Sequence, residues 1–117
     1  MTLSIQNNVS ALQAFSRQVS VSANNVANSL SDDFKSSRAL NTEGTDGQVT
    51  TTITKNNSPG PLVEDPLKND GSLKELSNTD IAEELVQQIA AQHGFDANAK
   101  TIHSYEETMG SLLDIVG

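Results

Sequence analysis

Apolar side chains recur at coiled-coil spacing near both ends of this chain of 117 residues, and turn residues crowd the stretch between. From residue 4 to about 30, Ile5, Val9, Leu12, Ser16, Val19, Ala23, Val26 and Leu30 follow in alternating steps of four and three. That is the seam of a helix packed lengthwise on a partner. Ala11, Ala14, Phe15 and Ala27 widen it. The segment is rich in Ser, Asn and Val, which are mediocre helix formers, so packing must hold it. A second helix is predicted from 78 to about 116, with Ile81, Leu85, Phe95, Ala99, Ile102, Met109, Leu113 and Val116 as its stripe, broadened by Val86 and Ile89. Ser77 or Asn78 is the expected N-cap, with Asp80 in the first turn. Gly94 is the expected weak point, where a bend or break is predicted, because a mid-helix Gly costs about 1 kcal/mol relative to Ala.

Between the helices, Gly44, Asp46-Gly47, Asn56-Asn57, Ser58-Pro59-Gly60-Pro61, Pro66 and Asp70-Gly71 punctuate the sequence. Val49-Thr50-Thr51-Thr52-Ile53-Thr54 is β-branched throughout and predicts a short strand near 49–54, with Asp46-Gly47 suited to a tight turn before it. The patch reads as too short for a sheet of its own. The expected fold is therefore mainly α. Long N- and C-terminal helices (1–30 and 77–117) pair as a coiled-coil-like hairpin, and an irregular middle (31–76) contains at most a short β segment.

Composition narrows the function. Aromatics are 3% of the chain and Trp is absent, which is thin material for a globular core or a ligand pocket. The net charge of −8 disfavours nucleic acid and anionic lipid as partners. The charge is uneven: residues 1–30 carry only Arg17, whereas Asp80, Glu83, Glu84, Asp96, Glu106, Glu107 and Asp114 stand against Lys100 in the last helix. The absence of Cys excludes disulfides, thiol catalysis and thiolate metal sites. The opening residues lack the basic and apolar regions of a secretory signal, and no apolar run reaches the length of a membrane span.

Motifs at both ends resemble those of the bacterial flagellar basal-body rod and hook proteins. Ser10-Ala11-Leu12-Gln13-Ala14, then Ala23-Asn24-Asn25-Val26-Ala27-Asn28, then Phe34-Lys35 and Arg38 are similar to that family's N-terminal pattern. Asp33 stands where the pattern has Gly. At the other end, Ser77-Asn78-Thr79-Asp80, Glu83 or Glu84, Ile89, Gln92 and Phe95-Asp96-Ala97-Asn98-Ala99-Lys100 are similar to the C-terminal pattern, with His93 where it has Arg. The resemblance covers roughly the first 38 and last 40 residues. It implies a small proximal-rod-like subunit of the axial drive shaft, exported through the flagellar type III apparatus without a cleaved signal peptide. Implied partners are copies of itself, other rod and hook proteins, and the export apparatus; no enzyme activity, cofactor or membrane insertion is implied.

The residues expected to form the assembly interface are Leu12, Ala23, Asn24, Asn25, Val26, Ala27 and Asn28 on the first helix. On the second they are Leu85, Ile89, Phe95, Asn98, Ala99, Ile102, Met109 and Leu113. Pattern alone leaves the apolar stripes open as intramolecular core or as assembly surface. It also leaves the asparagines open as solvent-facing residues or as buried amides that bond across to a neighbour and fix the register. A non-polymerising helical adaptor or export regulator is the alternative. His93 and His103 with nearby acids read as solvated helix residues, since a metal site needs more ligands. The adjacent acid pairs point to different sides of a helix and make poor catalytic dyads.

Overall fold

The computed structural model describes residues 5–117, so positions 1–4 of the predicted first helix lie outside the described residues. Helix α1 spans Ile5–Ala27, strands β1 to β4 span Ser37–Glu43, Val49–Lys55, Leu62–Glu64 and Leu73–Glu75, and helix α2 spans Ile81–Val116. The molecule is elongated, 81 × 25 × 15 Å. The helices lie antiparallel: Ser22 bonds to the backbone of Glu84, Phe15 lies against Gly94, and Ile5 and Asn8 face Tyr105 and Thr108.

The expectation of a mainly α chain with an irregular middle is overturned. The segment 31–76 holds two antiparallel hairpins, β1 with β2 and β3 with β4. The β-branched run became β2, paired from Ser37↔Lys55 to Glu43↔Val49. Its partner, Ser-Arg-Ala-Leu-Asn-Thr-Glu, has no strand pattern of its own. Tertiary contacts decide it. On its outer edge, the Asn25 side chain donates to the Ser37 carbonyl (2.7 Å) and accepts from the Ser37 N–H (2.9 Å), and Gln18 donates to the Ala39 carbonyl. Ser10 accepts the Val49 N–H from the other strand. The hairpin is thus laid along α1, which supplies the cover that two strands alone would lack. Its loop contains Asp46-Gly47 with Gly47 at φ +82°, and the Asn7 amide donates to the Asp46 carbonyl.

Helix α1 stops where Ser29 and Ser31 turn back onto Val26 and Asn28, and Asp33 completes the reversal at φ 60°. This is the left-handed conformation that Gly adopts freely and that Asp tolerates better than most residues. The residue that departs from the resembled pattern therefore adopts a conformation that Gly would favour. Helix α2 begins at Ile81, three residues later than predicted. Its cap is Asp80, whose carboxylate accepts from Ala82 N and Glu83 N. Ser77 bonds to Thr79 instead, and Asn78 bridges other segments.

No break occurs at Gly94, because α2 is one helix of 36 residues. The glycine answers a packing need. A Cβ there would stand 2.5 Å from the Phe15 ring. Helix propensity alone says that Gly94→Ala should stabilise the helix by about 1 kcal/mol. We expect the opposite, a loss of about 1–3 kcal/mol from overpacking. Equilibrium denaturation should show it, and Phe15→Ala in the same chain should turn the substitution from harmful to neutral or helpful.

Candidate assembly surface

What the helices bury against each other is small or polar. The buried hydrophobic residues among those described are four alanines: Ala11, Ala14, Ala39 and Ala91. The largest fully buried side chains are Asn25 and Glu84. Alanine on both helices and Gly94 on α2 bring the backbones close. The polar positions are bonded across: Ser22 donates to the Glu84 carbonyl (3.0 Å) and accepts from Gln88 (3.2 Å). The contact therefore runs along Ala11, Ala14, Ser22 and Asn25 of α1, and along Glu84, Ala91 and Gly94 of α2. That row is rotated away from much of the apolar stripe read in the sequence.

The large apolar residues are consequently left outside. On α2, Ile81, Leu85, Val86 and Ile89 are about half exposed (47 to 63%). Met109, Leu112, Leu113, Ile115 and Val116 are exposed to the helix end. On α1, Ile5 and Val9 are exposed at the same end of the molecule. An exposed apolar face of this extent marks an interaction surface, since monomeric soluble proteins rarely leave such patches open.

The predicted site residues divide accordingly. Ala23, Asn24, Ala27, Leu85, Ile89, Met109 and Leu113 are exposed. Leu12, Val26, Asn28, Phe95, Asn98, Ala99 and Ile102 are half-buried, and Asn25 is buried. Leu12 and Phe95 come together in one recess between the helices. Asn25 spends its amide on Ser37 within the chain, Asn28 bonds back to Asn24, and Asn98 bonds to the Gly94 carbonyl.

A clasp of polar residues, not foreseen as such, ties the two ends of the sequence together. Lys35 pairs with Glu75 and donates to the Ser58 carbonyl. Arg38 lies 2.6 Å from Glu83 and 3.7 Å from the buried Glu84. Asn78 accepts the Ser36 N–H and donates to the carbonyls of Asn56 and Ser58. The signal was present: Lys35, Arg38, Asn78, Glu83 and Glu84 all belong to the motifs that resemble the two ends of one family. Sequence alone did not reveal that these motifs bind each other. The Glu75 carboxyl is held below the usual carboxylate range, first by the Lys35 hydrogen bond and then by the Gly60 N–H.

His103 and Glu107 approach to 3.4 Å on the exposed side of α2. Among the described residues no three His, Asp or Glu side chains gather as a metal site, and no helix is long and apolar enough to cross a membrane. The described surface offers packing faces and shallow recesses.

Two outcomes follow from the clasp and the Asn25 clamp. Asn25→Leu leaves the N–H and C=O of Ser37 unpaired and should cost about 2–4 kcal/mol, at one to two for each orphaned group. Asn24→Leu, at an exposed position, should change stability by no more than about 0.5 kcal/mol; chemical denaturation compares the two. The lowered pKa of Glu75 gives stability that is full above the ordinary Glu value of about 4.3 and is lost as pH falls through the lower folded value. Protection of the Gly60 amide, taken relative to its intrinsic exchange rate at each pH, should fall from about pH 5 to 3 in the native chain and stay level in Glu75→Gln.

Residues 70–115 match the family model described as flagellar basal body rod FlgEFG protein C-terminal. The match takes in β4 and nearly all of α2. No curated protein matches the chain.

Proposed function

We propose that this chain, a member of the flagellar basal body rod family by its residues 70–115, is a structural subunit that polymerises through its two helices into the axial drive shaft. It works as a mechanical part of the basal body, without catalysis or cofactor, beside copies of itself and other axial proteins. It reaches that place through the flagellar export apparatus.

One observation carries the reading. The helix pair closes on alanine, glycine and hydrogen-bonded polar groups, and leaves Leu85, Val86 and Ile89 together with the last turns of α2 in water. Burying apolar surface is worth about 25 cal/mol per Å², so a subunit built this way gains more from neighbours than from its own interior. The elongated shape suits a layer of near-parallel rods packed around an axis. The clasp then has a purpose: it fixes the two helices and both hairpins as one body, so that neighbours meet a preformed surface. The hairpins lie on α1 and at its far end, outside the helical contact.

The test is assembly itself. Purified chain should form sedimentable polymer above a threshold concentration. Ile89→Asp should abolish the polymer and leave far-UV circular dichroism unchanged, because Ile89 is exposed in the single subunit. In cells the same variant should fail to restore swimming or a complete rod. A chain that stays monomeric at every concentration, with slow amide exchange along both helices, would instead favour a helical adaptor of the export system and would end the polymer reading.

A further inference from the structure

We infer that the Asp70-Gly71 turn is a site of spontaneous covalent change, at which the main chain of the folded protein is rerouted through the Asp70 side chain to give isoaspartate.

The chain has two Asp-Gly steps, Asp46-Gly47 and Asp70-Gly71. Both have the groups for the same reaction, because Gly carries no side chain to shield its nitrogen. The Gly nitrogen attacks the carboxyl carbon of the Asp before it. The amide proton and the carboxyl hydroxyl leave as water, and a five-membered succinimide ring closes. Water then adds to one of the two ring carbonyls. Opening on one side restores Asp. Opening on the other leaves the chain running through the side-chain carbonyl, with one more carbon in the main chain. The water lost is regained, so no oxidant, cofactor or enzyme is required, and the chemistry does not depend on polymerisation.

The glycines share one backbone conformation, with φ +82° at Gly47 and +76° at Gly71. What holds the two steps differs. The Gly47 N–H donates to the Gly44 carbonyl (3.1 Å), and the Gly44 N–H donates to the Gln48 carbonyl (2.7 Å). The Asn7 amide donates to the Asp46 carbonyl (3.1 Å), and a Cβ on Gly47 would stand 2.7 Å from that amide nitrogen. The attacking nitrogen is thus bonded, and the loop is seated against α1. Ring closure there has to break contacts that the fold maintains.

Nothing comparable holds the second step. Among the described residues the Gly71 N–H and the main-chain carbonyls of Asp70 and Gly71 make no hydrogen bond. Both residues are exposed, and a Cβ on Gly71 would meet no atom within 4 Å. The Asp70 carboxylate accepts the Ser72 N–H (3.0 Å). That bond spans Gly71 and keeps the carboxyl group beside the unbonded nitrogen. The turn lies in the β3–β4 hairpin, which the Asp65 N–H closes on the Ser72 carbonyl (2.9 Å). Strand β4 carries Glu75, the partner of Lys35. An added main-chain carbon at position 70 therefore enters just before the strand that holds one half of a clasp pair.

Ageing the native chain in heavy-oxygen water at about pH 5, where neutral carboxyl groups are appreciably populated, reads both sites at once. Trypsin places them on separate peptides, 69–74 and 39–55. Isoaspartate that has gained one heavy oxygen should accumulate at position 70 at least about fivefold faster than at 46, the factor that one retained hydrogen bond adds to a barrier. In concentrated urea, where neither loop is held, the two rates should converge. Equal rates in the native chain, faster reaction at 46, a product without heavy oxygen, or a ratio unchanged by urea would overturn the assignment.

Discussion

The two helices touch through alanine and glycine, and the rest of the architecture depends on that closeness. Ala11, Ala14, Ala91 and Gly94 let the backbones approach until the Phe15 ring lies where a side chain at position 94 would be. A seam of such small residues buries little apolar area, and hydrophobic stabilisation scales with that area. The pair must therefore be held by something else within the chain, and must offer its larger apolar residues elsewhere. Both consequences are visible: polar groups fasten the inside, and leucine, isoleucine and valine line the outside.

The inside fastening is local and specific. Asn25 satisfies both backbone groups of one residue of β1, Ser22 joins α1 to the backbone of α2, and Asn78 gathers three segments. Each amide is worth having because a buried backbone group without a partner is costly. Such bonds define a shape more sharply than they stabilise it. They leave the larger apolar residues of α2 without cover inside the chain.

The hairpins show why the middle of the chain was hard to read. Val49 to Thr54 announces a strand by its β-branched residues, but a strand needs a partner and a face to lie on. The partner is Ser37–Glu43, whose alternation carries no signal, and the face is α1. Both were set by residues far away in sequence, above all Asn25. The three-residue strands at Leu62 and Leu73 are shorter than any pattern can resolve.

The sequence by itself determined two long helices at the ends, the acidic imbalance between them, the turn at Asp46-Gly47, and motifs specific enough to point to one family. These are legible because helix periodicity, charge and turn chemistry are properties of neighbouring residues. Tertiary structure alone decided which side of each helix faces inward, because a heptad of apolar residues serves equally for a core or for an outer surface. It turned Gly94 from a weak point into a seat for Phe15. It turned Asn25 from one of three similar asparagines into the clamp on β1. It also brought the motifs of the two ends into contact, since a hydrogen bond between residues forty positions apart leaves no trace in local spacing.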